Sequence, residues 1–224
     1  ETPGPVHIGL TEDIGGRQAV SSGSSSQVPG SMSQPAPASE VLLSVMGKCF
    51  SASRKPVMAV GLSAVRAKAG LLIAAIAEKH GIPVVLTPMA KGILKEEHPW
   101  YAGVLFHALS DQVAETHSQA DLVIGVGYDP VEFNYEDWMP KAPLLSLDNV
   151  EADIDRAAYP GVCDIVGDIS ASLKYLASLP AKSSDWDQKA LEQRKLKMFA
   201  DLAPPKGSFG PRAALAILRE LLPE

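Results

Sequence analysis

Five short apolar runs, separated by stretches of helical periodicity, limit what this chain can fold into more than any other feature. They are Pro56-Val57-Met58-Ala59-Val60-Gly61, Pro83-Val84-Val85-Leu86-Thr87, Asp121-Leu122-Val123-Ile124-Gly125-Val126-Gly127, Leu144-Leu145-Ser146-Leu147-Asp148 and Val162-Cys163-Asp164-Ile165-Val166-Gly167. Near-continuous apolar runs, rather than alternating ones, belong to strands buried on both faces. Between them lie helical patterns. Val41, Leu42, Val45, Met46, Cys49 and Phe50 share one face behind Ser39 as N-cap. Val65, Ala69, Leu72, Ile73 and Ile76 mark a second helix closed by Gly81, and a polar helix runs from about Ser110 to Gln119. Asp168 caps a further helix carrying Ile169, Leu173 and Leu176. The pattern predicts an α/β fold: a doubly wound, Rossmann-like parallel sheet of about five to six strands with helices on both faces.

This core is expected over residues 38–180, and the flanks have a different texture. Pro5-Val6-His7-Ile8-Gly9-Leu10 alternates like a strand, and about twenty-five Ser-, Gly-, Pro- and Gln-rich residues from Gly15 to Ser39 follow it. Residues 1–37 therefore read as the tail of a preceding domain plus a linker. Residues 181–224 read as a linker helix from Ser184 to Leu202, a break at Pro204-Pro205-Lys206-Gly207, and an amphipathic helix opened by Gly210-Pro211. That last helix reads as the first helix of a further domain.

Composition removes several classes of function. A net charge of −6 with no basic stripe argues against nucleic acid or an anionic membrane as partner. The longest uncharged apolar run, Ala69 to Ala77, is far short of the roughly 18 residues of a membrane span. Glu1-Thr2-Pro3-Gly4-Pro5 has neither the basic nor the apolar region of a signal peptide. Cys49 and Cys163 stand far apart in sequence without metal spacing, and read as small core residues of a reduced, cytoplasmic protein.

Motif by motif, no active site emerges. Gly125-Val126-Gly127 invites a dinucleotide fingerprint, but Pro130 stands where the third glycine belongs. Asp148 lies where a ribose-binding acid would sit, and it is equally an ordinary residue at the end of a strand. His107 and Asp111 are four apart, a spacing that suits a surface hydrogen bond better than a catalytic pair, and no zinc helix, nucleophile elbow or P-loop is present. What survives is topological. Ligands of open parallel sheets sit beyond the carboxyl ends of the strands. Gly61, Thr87, Gly127, Asp148 and Asp168 fall at such ends, with Lys91 and Tyr128 just beyond. These seven are the candidate rim of a cleft, small residues keeping it open and Lys91 supplying its cation. Asp129, Asp148 and Asp168 would oppose a diphosphate there.

The order of short phrases resembles the central domain of thiamine diphosphate-dependent enzymes. Gly4-Pro5-Val6-His7-Ile8 with Glu12-Asp13-Ile14 looks like the close of their N-terminal, pyrimidine-binding domain. Arg54 to Gly61, Ile82 to Thr87, Lys91-Gly92, His98-Pro99, Gly103, Ala120 to Ile124, Asp148 and Val166-Gly167-Asp168 follow in the family's order. Gly127-Tyr128-Asp129-Pro130-Val131-Glu132-Phe133 with Trp138, and Ala152-Asp153-Ile154-Asp155, are similar to the catabolic acetolactate synthases. Flavin-containing relatives carry an arginine where Tyr128-Asp129 stands, which argues against bound FAD.

The resemblance implies a structural domain with no cofactor of its own, inactive alone. It implies a longer protein that holds thiamine diphosphate and magnesium on its other two domains, decarboxylates pyruvate, joins the two-carbon unit to a 2-oxo acid, and assembles as a homodimer or homotetramer. Another thiamine diphosphate decarboxylase or lyase remains an alternative parent. A different class, a nucleotide-binding module taking NAD, ADP or a coenzyme A headgroup at the rim, is separated from these by nucleotide titration.

Overall fold

The structure is a computed structural model that describes residues 35–105, 110–129, 142–203, 207 and 209–222. The N-terminal strand and linker expected before residue 35, His107, and the Pro130–Trp138 phrase lie outside the described residues.

Six strands form one parallel sheet: β1 (Pro56–Val60), β2 (Val84–Leu86), β3 (Tyr101–Val104), β4 (Leu122–Val126), β5 (Leu144–Asp148) and β6 (Val162–Val166). Their order is β3-β2-β1-β4-β5-β6, the doubly wound arrangement, with the winding reversing between β1 and β4. Every residue of β1, β2 and β4 is buried, as apolar runs without alternation require. Met58, Ile124, Leu145 and Leu147 lose all or nearly all contact with solvent, each such side chain contributing about 1.5–3 kcal/mol of transfer free energy.

Helix α1 (Glu40–Ala52) begins at Ser39, whose Oγ accepts from the Leu42 amide at 3.3 Å, and buries Met46 and Phe50. The helix expected from Val65 to Ile76 is instead two: α2 (Leu62–Arg66) and α3 (Gly70–His80). Lys68 breaks them at φ +54°, with the Ala69 amide returned to the Ala64 carbonyl at 3.0 Å. Val65 is left half-exposed rather than on the face of Ile73 and Ile76. Gly81 closes α3 in the left-handed conformation, and Pro83 starts the path into β2.

Strand β3 follows no apolar run. It is fixed by pairing, through Val84 N–H to Trp100 O and Leu105 N–H to Leu86 O, both at 2.8 Å. Helix α4 (Ser110–Ser118) and helix α6 (Gln188–Leu202) cover it, Val113 and Met198 closing on Gly103. Helix α6 thus packs into the domain, with Leu191 and Met198 buried. Helix α5 (Ile169–Ser178) carries its apolar face inward, with Leu173 and Leu176 fully buried. Helix α7 (Pro211–Leu221) buries none of its residues, and Arg219 holds Glu96 and Glu97 at 3.0 Å each.

Between α5 and α6 the chain is strapped to the amino-terminal side of the sheet. Lys182 Nζ donates to the Phe50, Ser51 and Ser53 carbonyls at the end of α1. Ser184 Oγ donates to Gly81 O, the Asp185 amide to Arg54 O at 2.8 Å, and Trp186 Nε1 to Pro56 O at 2.7 Å.

Candidate functional site

The reversal between β1 and β4 is where an open sheet leaves a crevice, and Gly61 and Gly127 stand on its two sides. Here they meet each other. A Cβ added to Gly61 would lie 2.2 Å from Gly127 O, and one added to Gly127 would lie 2.3 Å from the Ala64 amide. Gly127 also has φ +55°, a conformation costly for other residues. The small residues expected to hold a crevice open instead let two backbone segments pack together.

Tyr128 follows and is buried, its phenol pushed well above the ordinary range by loss of solvent and then by the Asp129 charge. Asp148 ends β5 close by, and burial raises its carboxyl above the usual range. The Asn149 amide, at 2.6 Å from Oδ1, and the Ser63 hydroxyl work against that rise, Asp129 adds to it, and Arg66 lowers it. Ser63 and Arg66, both on α2, were not expected at the rim. Their only sequence signal is position, two and five residues past the glycine that ends β1.

Thr87 is fully buried at the end of β2, and its Oγ1 makes no hydrogen bond. Lys91 lies further along the same loop with its ammonium 3.2 Å from Glu96, which Arg219 shares. The expected cation is thus committed to an ion-paired cluster. Asp168 is also committed: its Oδ1 accepts from the Ala171 amide at 2.6 Å as the cap of α5, and its own amide donates to Ala36 O at 2.8 Å. The structure therefore gathers Gly61, Gly127, Tyr128 and Asp148 with Ser63 and Arg66. It gives Lys91 and Asp168 separate structural bonds.

This rim carries carboxylates, one arginine and a buried phenol. Among the described residues no group of three or more His, Cys, Asp or Glu side chains could hold a metal ion. A magnesium-bound diphosphate needs oxygen ligands for the metal and amide or cationic donors for the phosphates. Asp129 and Asp148 put two acidic side chains at the rim, which disfavours a diphosphate there. No helix among the described residues is long and apolar enough to cross a membrane.

An all-parallel sheet that reverses at β1/β4, with helices around it and strand ends closed by paired glycines, defines a doubly wound α/β domain. The chain belongs to the family described as thiamine pyrophosphate enzyme, central domain, which matches residues 45–176. It is 25% identical to the acetolactate synthase large subunit of Parasynechococcus marenigrum, over 99% of this chain and 37% of that protein. It is 27% identical to the acetolactate synthase of Bacillus subtilis over 83% of this chain and 33% of that protein. Identity to the pyruvate decarboxylase of Neurospora crassa is 27%, over 70% of this chain and 27% of that protein. Among solved structures, a chain from Mycobacterium smegmatis described as a thiamin diphosphate-dependent enzyme superposes with a TM-score of 0.56 at 26% identity. The match covers 69% of this chain and 30% of that one. The chain thus spans about a third of the length of these relatives.

Proposed function

We propose that this chain serves as the central, structural domain of an acetolactate-synthase-like enzyme. In that reading the longer protein decarboxylates pyruvate and joins the two-carbon unit to a 2-oxo acid, with thiamine diphosphate and magnesium held on its other domains. The observation that carries the reading is the match to acetolactate synthases along 99% and 83% of this chain. The chain's own residues then supply position. The sheet and the strapped segment from Lys182 to Trp186 form a rigid spacer between the parts that precede and follow it. Its partners are those neighbouring domains and a second copy of the whole polypeptide.

The rim is proposed to take no flavin, because Asp129 and Asp148 put negative charge there and Lys91 is paired with Glu96. Binding and turnover measurements test the proposal. Calorimetry with magnesium and thiamine diphosphate should show no binding by the 224-residue chain, and pyruvate should not be consumed. A longer polypeptide that includes the flanking sequence should consume pyruvate and release acetolactate. Tight, magnesium-dependent binding by the chain alone, or a stoichiometric flavin spectrum in either protein, would overturn it. Release of acetaldehyde without acetolactate would assign the parent to the decarboxylases.

A further inference from the structure

The two cysteines are 114 residues apart in sequence, yet the fold packs the helix that carries Cys49 against the strand that carries Cys163. Helix α1 starts beside the end of strand β6, at the carboxyl end of the sheet. A Cβ on Gly167 would lie 2.4 Å from the Ala38 amide nitrogen, and Asp168 N–H binds Ala36 O. From there the helix descends antiparallel to β6. Eleven residues separate Ala38 from Cys49, mostly helical, which is about 16 Å at the helical rise. Four residues separate Gly167 from Cys163, which is about 13 Å along a strand. The two thiols are therefore nearly level, on elements whose Cα atoms approach within 8 Å.

Both side chains pack against the same buried cluster, and both keep partial access to solvent. The Cys163 thiol is pushed above its ordinary range by burial first and then by negative charge at Cys49, ahead of its chain neighbour Asp164. These contacts serve no part of the proposed spacer role.

We propose that Cys49 and Cys163 form a dithiol site that a hydroperoxide closes into a disulfide, stapling α1 to β6. Burial disfavours the Cys163 thiolate, so the first attack is assigned to Cys49. Its thiolate sulfur bonds to the outer hydroperoxide oxygen, the O–O bond breaks, and the leaving oxygen takes up a proton as water or alcohol. Cys49 is then a sulfenic acid. The Cys163 sulfur attacks the Cys49 sulfur, the S–O bond breaks, and the departing hydroxide takes up the Cys163 proton as water. Two thiols and one hydroperoxide become one disulfide, one water and one alcohol, or two waters when the oxidant is hydrogen peroxide.

The test is oxidation of the folded 224-residue chain with hydrogen peroxide, followed by alkylation, intact mass and non-reducing peptide mapping. The expected product is a monomer lighter by about 2 Da that has lost both alkylatable thiols, carries a Cys49–Cys163 bridge and is restored by dithiothreitol. Its thermal midpoint should rise by about 5 °C or more, because the bridge closes a long loop in the unfolded chain. Cys49→Ser and Cys163→Ser chains should lose this product, and Cys163→Ser should accumulate Cys49 sulfenic acid trapped by dimedone. Retention of both thiols, sulfinic acid formation without a bridge, or a bridge formed only between two chains would each overturn the proposal.

Discussion

Gly61 and Gly127 touch backbone to backbone at the one place where the sheet reverses its winding, with 2.2 Å between an added Gly61 Cβ and the Gly127 carbonyl oxygen. Gly61→Ala should therefore destabilise the domain by about 1–3 kcal/mol through overpacking against backbone that cannot yield. Gly127→Ala should cost a further 1–2 kcal/mol, roughly, for its positive φ. Urea unfolding at fixed pH reads both. A wild-type midpoint for either variant would show that the β1 and β4 ends can separate.

Burial of His117 gives stability a pH dependence of known sign. The imidazole is 2% exposed, its Nδ1 has no partner, and desolvation lowers its pKa to about 4. A folded value below the unfolded 6.5 means that the unfolded chain binds the proton more readily. The contribution is complete above about pH 6.5 and is lost as pH falls toward 4, up to about 3 kcal/mol. His80, lowered by burial and then by Lys79, acts in the same direction. Denaturation midpoints measured at pH 7 and pH 4.5 should differ less in a His117→Gln chain than in the wild type.

Trp186 fastens the strap to β1 through its indole N–H, 2.7 Å from Pro56 O. Trp186→Phe keeps most of the apolar volume and removes the donor, and should cost about 1–3 kcal/mol by leaving that carbonyl unpaired. Trp186→Ala should cost more, about 3–5 kcal/mol. Equal losses in the two variants would mean that the hydrogen bond contributes nothing.

Asp168 acts as the cap of α5. Asp168→Ala should lose about 1 kcal/mol, and Asp168→Asn should retain most of it because the amide oxygen can accept from Ala171. If Asn proves as harmful as Ala, the charge rather than the cap matters.

Most of the sheet was readable before folding because burial on both faces writes itself as an unbroken apolar run. Val57–Val60 and Leu122–Val126 are such cases. Strand β3 escaped because Tyr101-Ala102-Gly103-Val104 lies at an edge, where residues alternate between buried and half-buried and pairing with β2 decides the conformation. The break at Lys68 escaped for a related reason: Gly70 must pass beside the Ile93 carbonyl, a contact from another part of the chain. At the rim, strand ends were legible from topology alone. Lys91 and Arg219, 128 positions apart, share the carboxylate of Glu96, which no local pattern records. Burial of Tyr128 likewise depends on what surrounds it after folding.

The strap from Lys182 to Trp186 also decides how much freedom the chain beyond it has. Nine free residues, 179–187, would be a leash reaching about 30 Å. Clamped at the end of α1, at Gly81, at Arg54 and at the first residue of β1, they behave as a bolted bracket. Anything carried after Asp187 inherits its starting point and direction from the underside of the sheet. Its range of swing is then set only by chain further on, so a neighbour there would meet its counterpart at a fixed address rather than by search.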